Sequence, residues 1–377
     1  MSDYPNELIT DALSAAEAWY PGQGLESPAD YYELCGSLEK WMIDFKDRRY
    51  GRSAVEKYTG RGIPYNTSPF HFMLYYAPPP NRPFVLFSAD SIMFGFFGGK
   101  KNDRLNISFP VYGDIKTAVV AMDGFLNAGE VKSLLRAKDI NNFLLRDIDE
   151  NFANALIKEK YSKTFRLSSL KELNYRTYDI QSTLAMVGKD FSNLRWRLNQ
   201  FKRGKHRVDH ISLSETREQV IHLIGQWRRQ ALKERDFSYA DVRSDRFGAG
   251  FFGNSAYGPG NESGRRNESA NFTMKGKVIS RVLKVDGKTA SFNLGYPLGI
   301  TGDGGVFAHA IGISDITIPG LSEYAQVDFW KQVYKSGYGF INDGPTWRKG
   351  LAVYKDKFRP VMRERYYWAT VDIEIDG

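Results

Sequence analysis

The stretch from Val278 to Tyr296 reads VISRVLKVDGKTASFNLGY. Two apolar runs, Val278–Val285 and Thr289–Tyr296, flank an Asp286-Gly287 pair. Asp-Gly between such runs is the strongest short-range signal for a two-residue β-hairpin, because both turn residues must take positive φ. Working toward the C-terminus, Val306–Ile313 has the length and β-branching of a buried strand. Leu321, Ala325, Phe329 and Val333 recur at every fourth position, which predicts a helix that Gly337 can end. Tyr338–Ile341 then predicts a short strand, Lys349–Lys357 a helix stopped before Pro360, and Met362–Ile375 a last extended run.

Toward the N-terminus, Leu184, Val187, Phe191, Leu194, Leu198 and Phe201 step by threes and fours and predict one amphipathic helix. A second helix is expected from about Ser212 to Lys233, with Ser212 or Ser214 as N-cap and Glu215 in its first turn. Between it and the hairpin, Phe247–Ser269 is rich in Gly, Asn and Ser and reads as a loop. Its glycines match neither GxxxxGK[ST] nor a strand-GxGxxG-helix phosphate cradle. The resulting order is helix, helix, hairpin, strand, helix, strand, helix, strand.

The first half reads as an α/β or α+β unit without a catalytic motif. Helical patterns run through Leu8–Trp19 and Ala29–Asp44, and extended ones through Phe70–Tyr75 and Phe84–Phe87, separated by Pro78–Pro80. Strand text follows at Ile92–Phe97 and Leu105–Val111, then helical text at Glu130–Leu135 and Ile148–Lys160. Around Tyr161–Tyr178 the period is lost. With 377 residues, more than one core usually holds, this places domains at 1–170 and 171–377.

Composition narrows the function. A hydrophobic fraction of 42% with 25% charged residues excludes a disordered or fibrous chain. No run approaches the roughly 20 apolar residues of a membrane span, and Met1–Tyr20 is acidic where a signal peptide would be basic, so a cytoplasmic protein without a transmembrane segment is expected. The lone Cys35 cannot form an intrachain disulfide, and five scattered histidines with no HxxxH or paired-Cys motif predict no metal site. A net charge of +8 favours a polyanionic partner.

The element order is that of a GNAT fold, and particular residues sharpen the likeness. FINDGPTWRKGLAVYKDKFRP, from Phe340 to Pro360, resembles the end of the lysylphosphatidylglycerol synthase C-terminal (DUF2156-like) family. That family shows a strand-ending Asn, a Gly-Leu pair opening a helix, a Lys on that helix, and then an aromatic residue and a Pro. Here these are Asn342, Gly350-Leu351, Lys355, Phe358 and Pro360. FAHAIGISD, Phe307–Asp315, resembles the family's central strand, and NLRWRLNQF, Asn193–Phe201, its basic first helix. The resemblance covers roughly 180–369. It implies an α/β (α+β) chain with tandem GNAT-like domains, mixed central sheets flanked by helices, the N-terminal one degenerate. It also implies transfer of an amino acid from aminoacyl-tRNA, in the lipid-modifying members to a phospholipid headgroup. Asp343-Gly344-Pro345-Thr346-Trp347 departs from the acidic loop usual after the strand Asn, and no flippase region is attached, which weighs against a lipid acceptor.

Acyl transfer needs a positioned donor, a polarised carbonyl and a proton acceptor. The Val306–Ile313 strand can offer backbone N–H groups, and Gly312 permits close approach of the donor. Asp315 and Asp343 follow adjacent strands and are expected at one sheet edge as proton acceptors, with turn-forming roles as the alternative. His309 is the rival base, or else a buried structural histidine. Lys355 is read as a phosphate or carboxylate ligand, or as a solvated helix lysine. Asn342 and Gly350 complete the donor-binding set.

Arg195, Arg197, Lys202, Arg203, Lys205 and Arg207 form a run without acids, with Arg195 and Lys202 sharing a helix face, and suit nucleic-acid phosphates or plain solvation. The pyrophosphate loop of acetyl-CoA enzymes is missing, since Ser314–Gly320 reads SDITIPG. The sequence therefore predicts a soluble acyltransferase with no tightly bound cofactor and aminoacyl-tRNA as co-substrate. The alternatives are an acyl-CoA donor, or a nucleic-acid-binding or nucleic-acid-modifying protein on the same scaffold.

Overall fold

The computed structural model describes residues 82–88, 91–98, 104–108, 115–158, 165–233, 278–298, 305–346 and 349–374. The helical patterns before Asp44, the strand at Phe70–Tyr75, the Pro78–Pro80 turn, Cys35 and the loop at Phe247–Ser269 lie outside them. The described chain divides into two units: one holds the residues up to Asn174 together with those from Arg365 on, the other Tyr175–Glu364.

In the first unit β1 (Arg82–Ser88), β2 (Ser91–Gly98) and β3 (Arg104–Ser108) form an antiparallel meander. Helices α1 (Ile115–Asn127) and α2 (Gly129–Ala137) then carry the chain to β4 (Asn142–Asp149), which runs parallel to β3. Helix α3 (Glu150–Lys158) follows, and its first turn is capped where the Asp149 carboxylate accepts from the Phe152 N–H at 2.7 Å. Alternation along β4 sends Phe143 and Leu145 into a core with Leu105, Ile107, Met122, Phe125, Leu135 and Val371.

The second unit repeats this plan. Antiparallel β6 (Val208–Ile211), β7 (Ile279–Val285), β8 (Lys288–Pro297) and β9 (Val306–Ser314) lead through a helix, here called α7 (Leu321–Lys335), to β10 (Phe340–Asn342), parallel to β9. The 7–8 hairpin turns on Asp286 and Gly287, at φ of 51° and 81°, as a primed turn requires. Before β6 come α4 (Ile180–Ala185) and α5 (Ser192–Arg203); α6 (Leu213–Lys233) precedes β7, and α8 (Lys349–Asp356) follows β10. Trp330, Phe329, Phe307, Ile341, Leu194 and Tyr178 form its core.

Each half ends on a strand that completes the other unit. The first half ends on β5 (Phe165–Asp179), whose last residues pair antiparallel with β10. The second ends on β11 (Met362–Ile373), which pairs antiparallel with β4. The observed class is therefore the expected mixed α/β arrangement with helices flanking mixed sheet.

Several local expectations need correction. The aperiodic Tyr161–Tyr178 text holds the long strand β5, whose first half is largely exposed and so lacks a hydrophobic alternation. Ile148 belongs to β4 rather than to a helix, which begins at Glu150. The single helix expected from Leu184 to Phe201 is broken: Met186 ends α4 at φ 51°, Gly188 follows at φ 90°, and a 3-10 turn at Lys189–Phe191 leads into α5. Val187, expected on the buried stripe, is 79% exposed in that break.

Candidate active site

The site grows from a fork between β9 and β10. These strands pair over three positions only, Phe340↔Val306, Ile341↔Phe307 and Asn342↔Ala308. The next residue, Asp343, turns its main-chain N–H to the Arg176 carbonyl of β5 at 3.1 Å. The chain thus stays with β5 and leaves β9, which runs on to Ser314 with no strand beside it on that edge among the described residues. Opposite β8, the register shifts between Leu294↔Ile311 and Gly295↔His309, a bulge at Ala310 that bends β9 at the fork.

Local hydrogen bonds hold the fork. Asn342 accepts the Gly344 N–H on Oδ1 at 3.0 Å, and its amide donates to Thr177 Oγ1 at 3.4 Å. This Asx turn, with Gly344 at φ 67°, aims Asp343 back over the opening. Helix α8 then brings Lys355 in from the side. Its Nζ donates to the carbonyls of Asp343 and Gly344 and stands 3.7 Å from Asp343 Oδ1, a charge contact rather than a hydrogen bond. Both side chains are mostly buried, with 7% of Lys355 and 11% of Asp343 exposed. The Tyr178 hydroxyl donates to the Lys355 carbonyl at 3.2 Å, and Arg176 is fixed by Asp356 at 2.8 Å. Just past Gly344 the buried Thr346 hydroxyl has no hydrogen-bond partner among the described residues.

His309 approaches the same carboxylate, its Nδ1 3.7 Å from Asp343 Oδ1. Trp330 donates its indole N–H to Nδ1 at 3.4 Å, and Nε2 lies 2.9 Å from Asn293 Oδ1. Asn293 in turn donates to Ser291, which bonds the Ile313 carbonyl. An indole can only donate, so Nδ1 carries the lone pair and Nε2 the proton. Burial pushes the His309 pKa down to about 4, against the pull of Asp343 and helped by the Lys355 charge. His309 is thus a neutral side chain with both ring nitrogens engaged. Burial likewise lowers the Lys355 pKa, with Asp343 opposing and Arg176 assisting. Burial and the Asp343 charge raise that of Tyr178 far out of range, so it stays a phenol.

Of the four residues expected to catalyse, Asp343, Lys355 and His309 meet and Asp315 does not. The register sets Asp343 level with His309, so Asp315 lies six residues further along β9, roughly 20 Å at about 3.3 Å per residue. Its carboxylate is used in a turn, accepting from the N–H and hydroxyl of Thr317 at 2.9 and 2.7 Å. The shortness of β10 is the reason: its end is not level with the end of β9. Gly312 does border the site, since a Cβ there would sit 3.0 Å from His309 Nε2. Gly350 is exposed, with open space around it.

The basic run does not form one surface. Arg195 turns inward to bond the Met186 and Gly188 carbonyls, closing the break before α5. Arg197 stacks on Trp196 and faces Glu323 at 3.8 Å. Lys202, Arg203 and Lys205 are exposed, as is Arg207, which pairs with Asp209 at 3.2 Å. Beside this helix, Gly320 at φ 76° starts α7, and any Cβ on it would collide with the Arg197 carbonyl. The first turn of α7 also holds its own buried carboxylate, Glu323, paired with Lys357 at 2.9 Å.

Arg176 and Tyr178, two apart on β5, and Asn293 and Trp330 escaped the sequence reading; they come from three separate segments, and no local spacing links them to Asp343. Among the described residues no helix is long and apolar enough to cross a membrane, and no group of three His, Cys, Asp or Glu could hold a metal ion.

No family model and no curated protein matches the chain. Solved structures do. A conserved protein of unknown function from Bacteroides thetaiotaomicron is similar at TM-score 0.52 and 15% identity, covering 97% of each chain. The C-terminal DUF2156 domain of a proposed lysylphosphatidylglycerol synthetase from Agrobacterium fabrum is similar at TM-score 0.47 and 12% identity, over 91% of this chain and 92% of that one. A tandem GNAT protein from the clavulanic acid biosynthesis pathway is similar at TM-score 0.48 and 9% identity, over 82% and 88%. At these identities the likeness is one of fold.

Proposed function

We propose that the second unit is an acyl-transfer domain that takes an aminoacyl group from aminoacyl-tRNA and passes it to an amine or hydroxyl. The observation that carries this reading is the fork itself, where Asp343, backed by the Lys355 ammonium, faces the edge of β9 that β10 leaves open. In the reaction the acceptor N–H or O–H is held by the Asp343 carboxylate as its heteroatom attacks the ester carbonyl. The new C–N or C–O bond forms, the bond to the tRNA 3′ oxygen breaks, and the acceptor's proton passes to Asp343 and from it to the departing 3′ oxygen, which leaves as a hydroxyl. Backbone donors on the β9 edge polarise the carbonyl. No covalent intermediate and no bound cofactor are required, and such a donor places the reaction in the cytoplasm.

The choice of donor is favoured by the start of α7. A helix N-terminus is a ready diphosphate site, yet here the α5 backbone presses on Gly320 and Glu323 fills the first turn. A coenzyme A diphosphate would have to displace both.

The test is to incubate the protein with a small-molecule cell extract and either aminoacyl-tRNA or acetyl-CoA, each labelled in the acyl group. Label is expected to leave tRNA in a reaction abolished by RNase and by Asp343→Asn. Transfer from acetyl-CoA that survives RNase would replace this reading with the acyl-CoA one. RNA binding with no transfer from either donor would leave a nucleic-acid-binding protein.

A further inference from the structure

The first unit has a fork of the same construction. Its parallel pair β3 and β4 ends at Ser108↔Arg146, as β9 and β10 end at Ala308↔Asn342. The residue that follows is again an aspartate, Asp147, at φ 56°. It sits in a bulge: Tyr367 pairs with Ile148 and Ala369 with Leu145, so Arg146 and Asp147 together face Trp368. The Asp147 carboxylate accepts from the Trp368 indole N–H at 3.1 Å. That bond lies in the plane of the ring and fixes its orientation.

The ring in turn is set beside two cations. The Arg146 guanidinium lies 4.7 Å from the ring centroid and the Lys171 ammonium 5.6 Å. Their strands are β4, β11 and β5, with β11 in the middle, so the three side chains form a row across neighbouring strands. Arg146 is the anomaly in this row. Its Nε is buried without a hydrogen bond, and the guanidinium has neither a hydrogen bond nor an ion pair among the described residues. A guanidinium carries five donors in a fixed plane, and burying the Nε one without an acceptor is costly, because that N–H has lost water and gained no partner. The neighbouring Asp147 carboxylate accepts from the indole.

We propose that the first unit carries an oxyanion site of its own, formed by Arg146 and Lys171 across the Trp368 ring, which takes a phosphate ester. The planar guanidinium suits a bidentate oxyanion. Two cations held beside one ring favour a dianionic phosphate over a singly charged carboxylate. The ester is either a soluble metabolite or a lipid headgroup, and both present the same group.

The experiment uses the full chain and measures binding of inorganic phosphate and of acetate by calorimetry, and of phosphatidic acid in phosphatidylcholine vesicles by flotation. Phosphate is expected to bind at least threefold more tightly than acetate. Arg146→Ala is expected to weaken phosphate binding at least tenfold, with Arg146→Lys falling between, because a point charge lacks the fork. Lys171 is exposed, so Lys171→Ala will fold; it is expected to weaken binding about threefold and serves as the test should Arg146→Ala not fold. Loss of free-phosphate binding in these variants assigns the site to a soluble ester. Vesicle binding alone, lost in the same variants, assigns it to a headgroup. The site is refuted if the wild type binds neither probe, if acetate competes equally with phosphate, or if the variants bind as the wild type does.

Discussion

The indole N–H of Trp330 points at Nδ1 of His309 across 3.4 Å, leaving Nε2 as the nitrogen that carries the proton toward Asn293. The fold therefore holds a neutral imidazole beside a carboxylate and an ammonium. With the His309 pKa down to about 4 against an ordinary 6.5, the unfolded chain binds a proton in that interval that the folded one refuses. Stability is thus expected to rise with pH from about 4 to about 6.5 and to be lost as pH falls through that window, by up to about 3 kcal/mol. Urea denaturation at pH 4.5 and 7 checks it, because His309→Gln should lose most of the difference. An unchanged difference would place the acid sensitivity elsewhere.

Asp343→Asn keeps the shape of the fork and removes the proton acceptor. A loss of about 10²- to 10⁴-fold in transfer rate is expected, well beyond the effect of the stability loss that follows from leaving the buried Lys355 ammonium without its counter-charge. A variant with near wild-type turnover would dismiss Asp343 as the base.

Lys355 behaves differently from the solvated lysine that its helix position suggests. Lys355→Ala removes a buried ammonium from two carbonyls and leaves Asp343 without its counter-charge, so a destabilisation of about 3 kcal/mol is expected alongside the loss of activity. Denaturant midpoints measure it. A stability equal to that of the wild type would mean that water replaces the ammonium without cost.

Salt dependence separates the two kinds of basic residue between Arg195 and Arg207. Replacing exposed Lys202, Arg203 and Lys205 by Ala should flatten the log-log slope of RNA affinity against salt by about 2 to 3 units, at roughly 0.7 to 0.9 per lost phosphate contact. Arg195→Ala should leave that slope alone and instead lower stability by about 1 to 3 kcal/mol, since its bonds go to the Met186 and Gly188 carbonyls. Equal effects on the slope would contradict the inward-turned Arg195.

Gly312→Ala tests how tightly the fork is packed. The new Cβ would meet His309 Nε2 at 3.0 Å and Asn293 Oδ1 at 3.4 Å, so the imidazole must shift. A fall in transfer rate with a stability loss of about 1 kcal/mol is expected. Unchanged kinetics would show that the imidazole has room to give.

What the sequence disclosed follows from how local each signal is. The Asp286-Gly287 hairpin, the strand at Val306, the four-residue steps of Leu321–Val333 and the end of β10 at Asn342 each rest on a few adjacent residues, and all stand where expected. Lys355 was singled out by the resemblance of Phe340–Pro360 and Asp343 by the strand it follows, and the fold brings the two together. Asp315 was misplaced because parallel strands of unequal length end at different levels, and the length of β10 depends on its pairing with β5, more than 160 residues away. The Trp330–His309–Asn293 chain was hidden for the same reason: it joins a helix to two strands through side chains that read singly as ordinary core. Strand β4 went unseen because its apolar residues merge into the helical text of α3, and β5 because half of it faces water.

The exchange of closing strands has a consequence for how the molecule comes into being on the ribosome. β4 emerges before the residues Tyr175–Glu364 of the second unit, and the partner that covers its edge, from Arg365 to Ile373, only after them. About 190 residues of the second unit must be synthesised in between, which takes roughly 10 to 40 seconds at translation rates of about 5 to 20 residues per second. Through that interval the nascent first unit holds out an unpaired strand edge, so a chain stalled within the second unit is left with a sticky flank that Arg365–Ile373 covers once it is made.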